Sequence, residues 1–269
     1  MKKTVSLSVY ITVLVLSSIF ACGKDETIKS RVTPVAGSTL NPVTDTMPAA
    51  DTIPVADTSP ATDTTTVPSV GAKFLALGDS YTIGQNVEEN GRFPAQAVQL
   101  LQARNIHVNS PQYIAKTGWT TDNLMYAINV QKPPADFDIV TLLIGVNDQY
   151  QMEDTTGYGP RFEQLLKKAV YFARGKKSHV FVLSIPDYSV TPFVSAAEKE
   201  KVSRQVDEFN AINKKITLAN HATYIDITPS TRQAANDLSF IADDGLHPSA
   251  KEYKKWAQML APLMEKVLK

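Results

Sequence analysis

The sequence predicts an α/β protein with a parallel five-stranded sheet and helices on both faces. Short apolar runs alternate with amphipathic stretches from residue 73 to the C-terminus. The run at residues 137–144, FDIVTLLI, is apolar and β-branched without alternation, as is typical of a central parallel strand. Because right-handed crossovers place the C-terminal ends of parallel strands at one edge of the sheet, a functional site is expected at that edge.

Each predicted element has its own sequence signal. Strands are predicted at residues 73–77, 112–115, 137–144, 179–185 and 223–227. Helices are predicted at residues 94–104, from Thr120 or Thr121 to 130, and at 158–173, 195–220 and 249–268. Pro94 suits a first helical turn, and a threonine or Ser249 can cap a helix N-terminus. Tyr253, Trp256 and Leu260 recur at helical spacing, which predicts that they face the core.

Composition and charge narrow the range of functions. The 269 residues allow one large domain or two small ones, and 27 basic residues balance 27 acidic ones. Because the chain has no excess of positive charge to attract a polyanion, nucleic acid is not an expected partner. Cys22 is the only cysteine, and the four histidines show no metal-binding spacing. The pattern therefore predicts neither an intrachain disulfide nor a metal site.

The N-terminus predicts export and lipid anchoring. Residues 1–22 combine two lysines, an uncharged apolar stretch and a small residue before Cys22, which is typical of a signal peptide. An uncleaved membrane anchor is the alternative, because the apolar stretch is near the length of a span. The sequence at residues 19–22, IFAC, resembles a bacterial lipobox, in which the cysteine is lipidated. We therefore expect a bacterial outer-membrane lipoprotein. The charged segment at residues 23–26 resembles a cell-surface export tag, although a solvated segment would look the same.

Residues 23–71 are predicted to form a disordered linker ahead of a folded domain at 72–269. The segment 24–70 has no aromatic residue and is rich in threonine, proline, alanine and aspartate, so it cannot bury enough apolar surface to fold. Asp-Thr pairs recur every six residues from position 45 to position 64. They resemble a bacterial O-glycosylation motif, and a plain polar spacer explains them equally well.

Four motifs follow predicted strands or precede the last helix. They are GDS ending at Ser80, KTGW around Gly118, GVND around Asn147, and DGLHP, which holds Asp244 and His247. Taken alone, each motif can be explained by an ordinary structural role, as a turn, a helix entry or an Asx turn. Asp244 and His247 can meet across one tight turn, where a carboxylate orients and stabilises an imidazolium.

In this order, the four motifs resemble those of the SGNH (GDSL-type) hydrolase family over essentially all of residues 73–269. The resemblance implies a flavodoxin-like three-layer α/β/α fold. It implies Ser80 as nucleophile, His247 as general base and then acid, and Asp244, rather than Asp243, as the orienting carboxylate. The implied oxyanion hole comprises the N–H groups of Ser80 and Gly118 and the side-chain amide of Asn147, and no cofactor is implied.

Several functions remain open on the sequence. The leading hypothesis is an extracytoplasmic esterase for a small ester or an acylated saccharide. Lysophospholipase or thioesterase activity on longer chains is a second, and a non-catalytic surface-binding module on a hydrolase fold is a third. No inserted segment is available for a lid over a deep tunnel, and the longest loop at the active edge is predicted at residues 186–194. Four aromatic residues follow strand ends and could line the pocket or pack in the core: Trp119, Tyr150, Tyr188 and Phe193.

Overall fold

The computed structural model describes residues 71–269 of the chain. The predicted signal peptide, the lipidation at Cys22 and nearly all of the predicted linker lie outside these residues and stay predictions. Within residues 71–269, no helix combines the length and the apolar character that crossing a bilayer requires.

A five-stranded, wholly parallel sheet forms the centre of the fold. Its order is β2-β1-β3-β4-β5. The strands are β1 (Phe74–Asp79), β2 (Gln112–Lys116), β3 (Ile139–Leu143), β4 (Val180–Leu183) and β5 (Thr223–Ile225). The residues of β1, β3 and β4 are all buried, because helices cover both faces of the sheet. The predicted α/β/α class and strand count are confirmed.

Two groups of helices pack against the sheet. Helix α2 packs on α8, whereas α5 contacts both α3 and α6. The helices are α1 (Ser80–Ile83), α2 (Phe93–Gln102), α3 (Thr121–Gln131), α4 (Val146–Met152), α5 (Tyr158–Phe172), α6 (Lys199–Ala219), α7 (Thr228–Thr231) and α8 (Ala250–Leu268). Tyr253, Trp256 and Leu260 of α8 are fully buried, which confirms their predicted place in the core.

Two predicted helix starts need correction. The predicted start of the long helix at residue 195 is wrong, because Ser195 Oγ donates to Glu198 Oε2 at 2.7 Å in a separate turn and α6 begins at Lys199. Ser249 occupies the N-cap position of α8, but its side chain makes no cap hydrogen bond. Its hydroxyl donates instead to the Ser239 carbonyl at 2.7 Å, which ties the preceding loop to the helix start. Thr120 does cap α3 as predicted, by accepting from Asn123 N.

The sheet order places three motif-bearing loops side by side. Strand β1 lies between β2 and β3, and Gly78 is level with Ala115 on one side and Leu143 on the other. The segments that follow these strands carry Ser80, Gly118 and Asn147, so the sheet register sets their relative heights.

Candidate active site

The turn from β1 into α1 carries Ser80. A Cβ at Gly78 would lie 2.1 Å from Thr82 Oγ1 and 2.3 Å from the Leu143 carbonyl oxygen, so only glycine fits there. Asp79 Oδ1 accepts from the Tyr81 amide at 2.9 Å and caps the short helix. Ser80 follows directly as the first residue of α1 and is 3% exposed.

Asp244 and His247 meet across one turn before α8. Asp244 Oδ2 lies 2.6 Å from His247 Nδ1, and Asp244 Oδ1 accepts from the amides of Leu246 and His247 at 3.0 and 2.9 Å. Gly245, with φ of 70°, makes the reversal between them. The turn is closed by the Ala242 amide, which donates to the His247 carbonyl at 2.7 Å.

Hydrogen bonding keeps the Asp244 carboxyl ionised. Partial burial opposes ionisation, but the bonds from His247 and from the amides of Leu246 and His247 outweigh it and lower the pKa of Asp244. An ionised carboxylate on Nδ1 fixes the tautomer that leaves Nε2 as a base.

Ser80 and His247 occupy the same corner of the sheet edge. The Tyr81 ring, adjacent to Ser80 in the chain, lies 5.0 Å from the His247 ring, centroid to centroid. Among residues 71–269, the Ser80 hydroxyl makes no hydrogen bond to His247. In free hydrolases, such bonds are often long and tighten only when substrate binds.

Gly118 and Asn147 flank this corner from the neighbouring strands. Gly118 has φ of 81°, and a Cβ there would meet nothing within 4 Å, so its backbone borders open space. Asn147 lies in the first turn of α4, and its Nδ2 donates to the Trp119 carbonyl at 3.0 Å. The same side chain also interacts with the Asp79 carboxyl and acts to lower the pKa of that group.

The loop that carries Asn147 is held against the core by Gly145. This residue has φ of 121°, and a Cβ on it would lie 2.1 Å from the Tyr158 hydroxyl oxygen. The prediction placed Asn147 at a strand end, whereas the structure places it on α4. That helix was not predicted, because its seven residues begin inside the motif itself.

Two buried carboxyl groups beside the site were not singled out from the sequence. Burial raises the pKa of Asp79 to about 8. The hydrogen bond from the Tyr81 amide opposes this rise, and the nearby Asp148 carboxylate adds to it. Asp79 Oδ2 has no hydrogen-bond partner in the described part of the chain. Asp148 accepts from the Thr121 amide and hydroxyl at 2.9 and 2.6 Å, so it ties the start of α3 to α4. The apolar run before Asp79 was the available signal of its burial.

A small apolar pocket opens beside Asn147. Its volume is about 110 Å³, and its wall includes the neighbours of the candidate nucleophile and base. The lining residues are Tyr81, Val146, Asn147, Tyr150, Tyr188, Phe193 and Leu246. Three of the four aromatic residues considered from the sequence therefore line it, whereas Trp119 packs partly buried against the core.

Hydrogen bonds hold the outer wall of this pocket, which residues 186–194 form. The Tyr188 hydroxyl donates to Gln149 Oε1 at 2.7 Å. Buried Asp187 accepts from Arg232 Nε at 2.8 Å and from Ser203 Oγ at 2.7 Å. These bonds outweigh the effect of burial and lower the pKa of Asp187. The wall is thus anchored to three other segments and is not a free loop.

The described residues contain no cluster of three or more histidine, cysteine, aspartate or glutamate side chains placed to hold a metal ion. The sheet edge brings together a serine hydroxyl, an imidazole and several hydrogen-bond donors.

Comparison with solved structures finds the same fold in several bacterial and metagenomic enzymes. A lipase/acylhydrolase from Enterococcus faecalis aligns with TM-score 0.56 and 18% identity over 74% of this chain and 97% of its own. A lipase from a goat rumen metagenome gives TM-score 0.57 and 18% identity over 71% and 97%. An acetylxylan esterase from Geobacillus stearothermophilus gives TM-score 0.51 and 22% identity over 74% and 94%. Identities this low show the fold alone.

Sequence comparison identifies the family directly. A search of curated proteins finds no significant match. The profile of the GDSL-like lipase/acylhydrolase family matches residues 76–255, which is more than half of the chain and includes all four motifs. The chain therefore belongs to the GDSL-like lipase/acylhydrolase family and is a hydrolase that acts on ester bonds.

Proposed function

We propose that the chain is a serine esterase that removes short acyl groups, including acetyl, through an acyl-enzyme intermediate on Ser80. The observation that carries the proposal is the 2.6 Å bond between Asp244 Oδ2 and His247 Nδ1, on the same turn that brings His247 to the Tyr81 ring next to Ser80. An imidazole oriented in this way is what a weak serine nucleophile requires.

In the first half-reaction, Ser80 Oγ attacks the ester carbonyl carbon and its proton passes to His247 Nε2. The carbonyl oxygen becomes an oxyanion, which accepts from the Ser80 and Gly118 amides and from Asn147 Nδ2. Each such donor contributes about 3 kcal/mol in the transition state. Collapse of the intermediate breaks the bond to the alcohol, which leaves with the proton from His247.

In the second half-reaction, water replaces the alcohol. His247 Nε2 takes a proton from water as its oxygen attacks the acyl carbon, and the same donors hold the second oxyanion. The proton then returns to Ser80 Oγ as the carboxylic acid leaves. Ionised Asp244 stabilises the imidazolium at both stages.

The dimensions of the apolar pocket support a short acyl group. Its volume of about 110 Å³ is enclosed at the outer side by Tyr188 and Phe193. A long acyl chain gains about 0.8 kcal/mol for each methylene that it buries, which requires a deep tunnel. A pocket of this volume offers a chain of twelve carbons much less burial than a deep tunnel would, so the proposal favours short acyl groups over lysophospholipase and long-chain thioesterase substrates.

The alcohol part of the substrate is proposed to be polar, with acetylated saccharides as the leading class. An acetylxylan esterase is among the proteins with this fold, so acetylated carbohydrates are the first substrates to test. We also propose that Cys22 carries a lipid anchor that holds the enzyme at the bacterial outer membrane, where it meets polymers that cannot enter the cell. This part of the proposal rests on the sequence of residues 1–22 alone.

Covalent labelling tests the nucleophile. A fluorophosphonate probe should label the wild-type protein, and Ser80→Ala should abolish the labelling. Ser195→Ala is the matched control, because Ser195 is exposed and does not line the pocket beside Asn147, and it should label normally. Labelling that persists in Ser80→Ala would show that another group is the nucleophile.

A series of p-nitrophenyl esters tests the acyl length. We expect the highest kcat/KM at acetate or butyrate and a fall with each added pair of carbons. A maximum at twelve carbons or more would contradict the short-chain proposal and favour the lysophospholipase or thioesterase alternative.

A further inference from the structure

A polar groove adjoins the candidate active site and has no role in the mechanism above. Its volume is about 660 Å³, several times that of the apolar pocket at about 110 Å³. The groove lies between the loop that leaves α1 and the turn that carries Asp244. The site therefore has a small apolar recess and, separately, a large polar groove.

The groove begins close to the reacting groups. The Gln85 amide donates to the Ser80 carbonyl at 3.0 Å, and Gln85 Oε1 accepts from Thr117 Oγ1 at 2.6 Å, next to Gly118. At its other end lies Asp244, the hydrogen-bond partner of His247. A large substrate that reacts at Ser80 can therefore extend directly into the groove.

The groove floor is preformed. The Val87 amide donates to the Gly84 carbonyl at 3.0 Å, which closes the loop after α1. A Cβ at Gly84 would lie 2.4 Å from Arg92 Cγ, so the Arg92 stem packs directly on this glycine. The Arg92 guanidinium also lies 5.8 Å from the Tyr113 ring centre. A preformed groove loses little conformational entropy when it binds a ligand.

The groups that line the groove fit a polyhydroxylated ligand. The amide of Asn86, the carboxylates of Glu88 and Asp243 and the guanidinium of Arg92 offer both acceptors and donors. Ile83 and Val87 add apolar surface, which suits the C–H faces of a sugar ring. A volume near 660 Å³ is within the usual range for ligand sites, about 300–1,000 Å³.

The charges of the groove select among such ligands. Glu88, Asp243 and Asp244 supply three carboxylates against the single guanidinium of Arg92. An excess of negative charge repels an anionic ligand and leaves a neutral one unaffected. Uronic acids and phosphorylated sugars are therefore disfavoured in this groove.

We propose that this groove binds the alcohol part of the ester as a neutral oligosaccharide, while the acyl group enters the pocket lined by Tyr188 and Phe193. The assignment rests on the proposed esterase function, which it extends by naming the leaving group and the residues that recognise it. Asn86 and Asp243 are the side chains on which recognition depends.

The test compares three acetyl esters: p-nitrophenyl acetate, an O-acetylated xylo-oligosaccharide and an O-acetylated oligogalacturonide. The wild-type protein should prefer the neutral oligosaccharide to the acidic one by at least tenfold in kcat/KM. Equal or reversed preference would overturn the charge argument.

Two variants probe the groove itself. Asn86 has φ of 60°, so Asn86→Gly removes its side chain without backbone strain. Asn86→Gly and Asp243→Ala should each lower kcat/KM for the neutral oligosaccharide, relative to p-nitrophenyl acetate, by about fivefold or more, chiefly through KM. The double change Glu88→Gln with Asp243→Asn should raise the rate on the acidic substrate relative to the neutral one.

The matched control is Gln102→Ala. Gln102 lines a separate groove of about 310 Å³ along α2, which does not include the residues of the triad turn. It should leave the ratio of the substrates unchanged. If p-nitrophenyl acetate is cleaved in a Ser80-dependent manner but the groove variants leave the ratio unchanged, the groove assignment is wrong and the esterase proposal stands. If Ser80→Ala still cleaves the small ester, the esterase proposal itself fails.

Discussion

The carboxylate of Asp244 and the imidazole of His247 are joined at 2.6 Å within a single turn of the chain. Two backbone amides of the same turn hold the other carboxylate oxygen at 2.9 and 3.0 Å. The hydrogen bonds that orient the imidazole are therefore local to one turn, and the Tyr81 ring packs beside it. Hydrolases that draw their acid and base from separate loops must achieve the same orientation through long-range packing.

The first prediction concerns this pair. His247→Ala should lower kcat on p-nitrophenyl acetate by several orders of magnitude, because no base remains for Ser80. Asp244→Asn should lower it by about 10⁴, because the amide favours the wrong imidazole tautomer. His107→Ala is the control, since this exposed histidine lies outside the site, and it should be fully active. Near-normal activity in His247→Ala would remove His247 from the mechanism.

The second prediction assigns Asn147 to the oxyanion. Asn147→Ala should reduce kcat by about 10²–10³ with little change in KM, because the amide acts on charge that develops in the transition state. Steady-state kinetics on p-nitrophenyl acetate measures both constants. Asn236→Ala, an exposed asparagine after α7, is the matched control. A rise in KM at unchanged kcat would instead indicate a role in ground-state binding.

The third prediction follows from the buried carboxyl of Asp79, whose pKa burial raises to about 8. An unfolded aspartate titrates near 4, so the folded state binds this proton more tightly. The resulting stability is present in full below about pH 4, declines as pH rises and is lost above about pH 8.

Asp79→Asn should remove this pH dependence because its amide does not titrate. We compare the free energy of unfolding of Asp79→Asn with that of the wild type at each pH. As the pH rises from 5 to 9, this difference should shift in favour of the variant by on the order of 2 kcal/mol or more. Urea unfolding at pH 5, 7 and 9 measures the change, with Glu208→Gln as an exposed carboxylate control. If the free energy of unfolding varies with pH in the same way in Asp79→Asn and in the wild type, then Asp79 is ionised in the folded protein across this pH range.

The sequence predicted the sheet well because its buried strands β1, β3 and β4 come from largely apolar runs. Residues 137–144, for example, contain all of β3. It predicted helix ends less well, since they depend on contacts from elsewhere: Ser249 stands at the N-cap position, but the Ser239 carbonyl captures its hydroxyl. Helix α4 was missed because one short motif both ends a strand and begins a helix.

In the candidate site too, features set by neighbouring residues could be predicted from the sequence, and features set by long-range contacts could not. Asp244 and His247 are three residues apart, so their contact follows from local spacing and could be predicted. The polar groove joins Gln85 to Asp243 across 158 positions of the chain, and no local pattern signals such a meeting. The raised pKa of Asp79 likewise comes chiefly from its burial in the folded chain, to which Asp148 on α4 adds.

The fourth prediction concerns the wall of the apolar pocket. Phe193 is 51% exposed and its ring lies 6.1 Å from that of Tyr150 at the rim. Phe193→Ala should open the pocket and move the preferred p-nitrophenyl ester from acetate towards hexanoate or octanoate. Tyr171→Ala removes an equally exposed ring on α5 and should leave the preference unchanged. An unaltered chain-length profile in Phe193→Ala would show that this ring does not limit the acyl group.

The fifth prediction concerns the N-terminus. Wild-type protein expressed in a Gram-negative host should partition with membranes, and its mature N-terminus should be a lipidated Cys22. Cys22→Ser should lack the lipid, because serine cannot form the thioether. Mass spectrometry of the mature N-terminus distinguishes the two. A soluble wild-type protein with an unmodified cysteine would contradict the anchor.

Strand β2 is one of the two edge strands of the sheet, and both of its end residues are exposed, whereas β1 beside it is wholly buried. An edge strand with so little cover opens locally at a lower free-energy cost than the strands inside the sheet. Gly118 follows β2 by two residues, so fraying of this edge would withdraw one of the proposed oxyanion donors while Ser80 and Asn147 stay in place. We therefore expect warming to weaken turnover gradually and reversibly, some degrees before the sheet melts as a whole.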